Sequence, residues 1–235
     1  MFGTIVNTLA IIVGAGLGIV FRKGIPEKSK TTIMQGIGMA VILVGLKMAI
    51  MVNNELIIII SLALGALIGE MMRIDFHLNS LAENLEKMVS KGEVKEGNFV
   101  KGFVSASLIF CVGAMAIMGS LEGGLTNTYK ILYVKSSLDF ITSIILSSSL
   151  GIGVAFSALP VFLYQGAITL MAAGIKPFLT DTITLYMTGT GGLLILGIGI
   201  NILGIKEINV ANLLPAIFVA ILVTMGAVAF FPGFV

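Results

Sequence analysis

The sequence predicts an all-α polytopic membrane protein, a bundle of seven or eight transmembrane helices with broken or re-entrant segments. Three observations predict it. The mean hydropathy is +1.09. Of the 235 residues, 57% are apolar and only 11% carry charge. The apolar residues also form continuous runs near the roughly 20 that a helix needs to cross about 30 Å of hydrocarbon. Continuous runs exclude a transmembrane β-barrel, whose strands alternate over about ten residues.

In chain order, spans fall near 3–21, 33–52, 55–70, 99–119, 137–157, 158–175, 186–204 and 212–231. The sixth is short, and 137–175 reads either as two crossings or as one re-entrant hairpin. Residues 1–235 are taken as a single transmembrane domain with one polar insert at 71–98. In that insert Leu78, Leu81, Leu85 and Met88 recur at helical spacing, and Ser80 and Glu83 fit a capping box. An amphipathic helix on the cytoplasmic membrane surface is expected there, which equally suits a partner-binding helix.

Basic residues set the expected orientation. Arg22, Lys23, Lys28, Lys30, Arg73, Lys87, Lys91, Lys95, Lys101 and Lys206 fall on one side, against Lys130, Lys135 and Lys176 on the other. The positive-inside rule then makes 22–32 and 71–98 cytoplasmic and puts the N-terminus outside. No cleavable signal is expected, because the first span lacks a basic leader. The net charge of +2 gives no reason to expect a nucleic-acid partner. One cysteine, Cys111, and one histidine, His77, leave no disulfide framework, and no metal or cofactor site is expected.

Polar residues inside apolar runs carry the functional reading. Ser147, Ser148 and Ser149 precede Gly151 and Gly153, and Thr188, Gly189, Thr190 and Gly191 repeat the same chemistry later in the chain. Glycine allows a helix to break, and the freed backbone groups with nearby hydroxyls can hold a solute. The plain alternative is that the hydroxyls bond back to the preceding turn while the glycines pack. Gln165, Asn7 and Asn201 are amides within spans, and such residues are expensive in hydrocarbon. Lys47 and Asp139 are expected to form a gating or charge-balancing pair, with snorkelling the alternative for Lys47. Gly14 to Gly18 and Gly65 to Gly69 are small-residue faces that suit tight helix packing and a homodimer. The serines have no histidine base and no nucleophile elbow, so catalysis is not expected.

A faint internal repeat pairs Gly16–Phe21 with Gly151–Phe156, and Gly36–Gly38 with Gly189–Gly191. On the span count the first pair of repeated spans runs parallel and the second pair opposed, so a simple inverted repeat is not supported.

The stretch DFITSIILSSSLGIGVAFSALPVFLYQG, with GTIVNTLAIIVGAGLGIVFRKGIP, GLKMA and GTGGLLILGIGINILGIK, resembles the YqgA/YdfK-type family of bacterial integral membrane proteins. The resemblance covers nearly the whole chain. It implies a multi-pass protein of the prokaryotic inner membrane and carries no activity with it. From the residues, the function expected first is a secondary transporter or carrier of a small polar solute or ion. A scaffold or sensor that docks a partner on the 71–98 helix, and a passive channel, are the competing expectations.

Overall fold

The computed structural model describes residues 1–22, 27–89 and 98–230. Among these the elements are all helical, and seven helices are long and apolar enough to cross a membrane. The basic residues expected at 23–26 and 90–97 lie outside the described residues, as does that part of the polar insert.

The helices are α1 (Phe2–Arg22), α2 (Glu27–Ala49), α3 (Glu55–Met72), α4 (Ile74–Val89), α5 (Asn98–Cys111) and α6 (Ala114–Thr126). There follow α7 (Lys130–Leu150), α8 (Gly153–Phe156), α9 (Ala158–Leu170), α10 (Ala172–Ile175), α11 (Asp181–Leu203) and α12 (Pro215–Phe230). Two compact units emerge. The first contains 1–34, 78–111 and 115–175, and the second contains 35–77, 112–114 and 176–235.

In the first unit α1 and α7 run parallel in close contact. Gly3 meets Leu132, Gly14 meets Ser143 and the Phe140 backbone, and Gly18 meets Ser147 and the Ile144 backbone. Without side chains at 14 and 18 the two backbones approach directly, the mode of association available where hydrocarbon gives no hydrophobic drive. In the second unit Gly65 and Gly69 seat α3 against Ala216 and Asn212. Both small-residue faces thus serve the tight helix packing expected of them.

One of the two expected helix breaks is present and the other is absent. α7 ends at Leu150 because Gly151 has φ +80, and the next span begins at Gly153. Ser147 to Gly153 thus mark the end of a 21-residue helix rather than the middle of a span. Thr188 to Gly191 lie within the unbroken helix α11, where Gly189 packs on Val52 and Gly191 on Val112. In membrane these glycines admit neighbouring side chains instead of ending the helix. The bent span is the fourth: α5 and α6 meet at 59° across Val112 and Gly113, whose φ is +137. Counting that pair as one span gives eight. The repeat's first match also joins unlike structures, since Gly16–Phe21 lies inside α1 while Gly151–Phe156 spans a helix end and α8.

The amphipathic helix is α4, beginning well before the expected capping box, so Ser80 and Glu83 are interior to it. Its buried face includes Ala82, packed with Leu85 against Phe99 and Phe103 of α5, while Leu81 is exposed. At the α3–α4 corner, Asn212 donates to Glu70 at 2.9 Å and accepts the Asp75 N–H at 2.7 Å. That single amide holds a turn whose backbone passes through a left-handed Arg73.

Candidate functional site

Three helices of the first unit each contribute polar residues one turn apart: Thr4 and Asn7 from α1, Lys135 and Asp139 from α7, and Gln165 and Thr169 from α9. Residues three or four apart share a helix face, so each pair points the same way. All six are buried; Thr4, Asn7 and Gln165 have no exposed surface at all.

The contacts form a chain. The Lys135 ammonium donates to both Asp139 oxygens, at 2.9 and 2.7 Å. Asn7 Nδ2 donates to Asp139 Oδ2 at 3.0 Å and to Gln165 Oε1 at 3.4 Å. The Thr4 and Thr169 hydroxyls lie 3.5 Å apart beyond it. Asp139 is ~13 Å along α7 from its first residue at 1.5 Å per residue, deep within the span.

The orientation of each amide follows from its neighbour. An ionised carboxylate only accepts, so Asn7 must turn its Nδ2 toward Asp139, and Gln165 must offer Oε1 to the same nitrogen. Two atoms are then left buried without a partner: Asn7 Oδ1, an acceptor, and Gln165 Nε2, a donor. On α6, Gly123 packs on Tyr129 and Gly124 on the Thr169 backbone. One turn before Gly124 on the same face, Ser120 is fully buried with its hydroxyl unpaired. An unpaired buried polar group costs about 1–3 kcal/mol, so the two in this cluster call for an explanation.

The other residues singled out from the sequence are placed as follows. Asp139 takes Lys135 as its ionic partner instead of Lys47, which is exposed on α2. The reason is geometric: Lys135 is four residues back on the same face, and α7 starts at Lys130, so a lysine expected in a loop is inside the helix. Ser147 donates to the Ala15 carbonyl at 2.9 Å and Ser148 to the Ile145 carbonyl at 2.8 Å, while Ser149 is half-buried. Gly153 packs on the Phe99 backbone. Thr190 bonds back to the Tyr186 carbonyl at 2.8 Å, and Thr188 Oγ1 is buried without a partner. Asn201 does not join the cluster; its amide donates to the Ile208 carbonyl and accepts the Ile208 N–H, both at 2.8 Å, and so closes the loop after α11. The geometry therefore brings together Asn7, Asp139 and Gln165 and adds Lys135, Thr4 and Thr169. The i, i+4 spacing of Lys135 and Asp139 was the sequence signal for the lysine.

The family described as "Protein of unknown function (DUF554)" matches residues 2–225. The chain belongs to that family. It is 35% identical over 223 residues to the "Uncharacterized membrane protein YdfK" of Bacillus subtilis (strain 168), covering 93% of each chain. It is 31% identical over 234 residues to the "Uncharacterized protein YqgA" of Escherichia coli (strain K12), covering 98% of this chain and 99% of that one. No solved structure matches. The DUF554 chain is thus a multi-pass membrane protein by its helices and by its similarity to YdfK, which is named a membrane protein.

Proposed function

We propose that this DUF554 protein is a secondary carrier for a small polar solute or ion in the prokaryotic inner membrane, with its N-terminus outside. One observation carries the reading: a Lys135–Asp139–Asn7–Gln165 chain buried among membrane-spanning helices, with Asn7 Oδ1 and Gln165 Nε2 unpaired. A purely structural cluster in hydrocarbon gains from closing every hydrogen bond, whereas a binding site leaves acceptors and donors for its ligand. Ser147 to Ser149, Gly151 and Gly153 would belong to the end of the path instead of its centre. Thr188 to Gly191 would serve helix packing in the second unit, and Lys47 would sit at the protein's surface.

The scaffold alternative draws less support, since Ala82 and Leu85 of α4 already pack on Phe99 and Phe103 and leave only part of its apolar face open.

Cysteine accessibility tests the carrier. In a Cys111→Ser background, single cysteines replace Asn7, Ser120 and Gln165, with Thr190 as a comparison and Lys130, exposed and on the outer side, as the control. Labelling of positions 7, 120 and 165 by a small impermeant thiol reagent in intact cells is the expected result. Reaction at 130 alone would mean a dry bundle and would return the function to the scaffold.

A further inference from the structure

We propose that the Asn7 and Gln165 amides are a proton-driven polarity switch, in which protonation of Asp139 inverts both and exchanges the donor and acceptor that the site offers its ligand. The inference rests on the carrier reading for its consequence, since it makes the proton the coupling ion.

The argument is one of hydrogen-bond bookkeeping. With Asp139 ionised, Asn7 Nδ2 uses its two hydrogens on Asp139 Oδ2 and Gln165 Oε1. The leftover atoms are Asn7 Oδ1 and Gln165 Nε2. When a proton from water bonds to an Asp139 oxygen, that carboxyl gains an O–H to donate. Asn7 then satisfies it by turning Oδ1 inward, where its two lone pairs accept from Asp139 and from an inverted Gln165 Nε2. Every central contact is kept with its direction reversed. The leftover atoms become Asn7 Nδ2 and Gln165 Oε1. A carbonyl oxygen and an amide nitrogen are close in size, so inversion needs no change of packing, only rotation of two side-chain ends.

The groups around Asp139 suit this role. On its own helix the charged neighbour is Lys135, at 2.7 Å. From α1 comes Asn7, neutral; from α5, Cys111 lies within electrostatic reach of both Lys135 and Asp139. From α9 come Gln165 and, within electrostatic reach of Cys111, Tyr164. Protonation of Asp139 raises the charge of the site by one. A ligand therefore meets a different charge and a reversed pair of hydrogen-bonding atoms in the two states. Differential affinity between two states is the requirement for coupling.

The test follows the amides directly. The protein, perdeuterated and with 15N-labelled side-chain amides, is placed in nanodiscs, and the NH2 resonances of Asn7 and Gln165 are assigned by their loss in Asn7→Leu and Gln165→Leu. On titration between about pH 4 and 9, both pairs are expected to move together with one midpoint, and the movement is lost in Asp139→Asn. Where Asp139→Asn alone does not fold, Asp139→Asn with Lys135→Met removes both charges and gives the same loss. Resonances that stay fixed across the range overturn the switch, as does a titration that survives in Asp139→Asn or disappears in Cys111→Ser. The readout needs no transport: co-titration without labelling at positions 7, 120 and 165 removes the carrier and keeps the switch. Labelling with fixed amide resonances does the reverse.

Discussion

Asn7 and Asp139, 132 residues apart in sequence, are joined by a 3.0 Å hydrogen bond inside the membrane-spanning part of the first unit. The bond ties α1 to α7 at the level where α9 brings Gln165, and it decides which way both amides face.

The first expectation separates ligand contact from packing. Gln165→Leu removes one long bond and one unpaired donor, so stability should fall by no more than about 1 kcal/mol, or rise. Solute flux in proteoliposomes should fall at least ~10-fold, since a buried hydrogen-bond partner lost to a ligand is worth about that much. Gly151→Leu should behave oppositely, because φ +80 strains any residue with a Cβ. It should lower the melting temperature. Equal thermal losses in the two variants would make Gln165 a packing residue.

Asn7, Gln165 and Asp139 were legible in the sequence because each is a polar residue in an apolar run, where there is little else to explain it. Lys135 was not, since the apolar run that begins at 137 leaves it in the preceding loop. The same logic overreached at Thr188–Gly191. Glycine and threonine are ambiguous in membrane, and only the positions of Val52 and Val112 decide that these glycines pack. The bend at Val112 and Gly113 gave no warning, because nothing polar accompanies it in sequence. Helical class and span number follow from hydropathy alone, whereas helix partners depend on contacts between segments more than a hundred residues apart.

A charge cycle tests the ion pair. Asp139→Asn and Lys135→Met each leave one buried charge without its partner, at a cost of about 3–5 kcal/mol. The double variant removes both and should regain most of that loss. Thermal or denaturant unfolding in detergent reads the three values. Additive losses would mean that the pair, 2.7 Å apart here, is not coupled in solution.

The α1–α7 contact makes a sharp positional prediction. Gly14→Leu and Gly18→Leu drive side chains into the Phe140 and Ile144 backbones, which cannot yield without separating the helices. Gly16→Leu meets nothing within 4 Å and faces outward. Expression and monodispersity should collapse for positions 14 and 18 and stay near wild type for 16. Tolerance at 18 would contradict the close approach that brings Asn7 to Asp139.

Asn201 provides the control for the amide argument. Like Asn7 it is an asparagine placed in a helix of apolar sequence, but both of its polar atoms are used on the Ile208 backbone at 2.8 Å. Asn201→Ala strands an N–H and a carbonyl in the loop after α11, a loss of about 2 kcal/mol from two bonds. Its effect should appear in unfolding and in hydrogen exchange at Ile208, with flux per folded molecule unchanged. Asn7→Ala should instead depress flux beyond its effect on stability, because the atom that it removes from the site, Oδ1, has no protein partner. If the two variants lost flux in the same proportion to stability, the unpaired atoms of the cluster would carry no ligand.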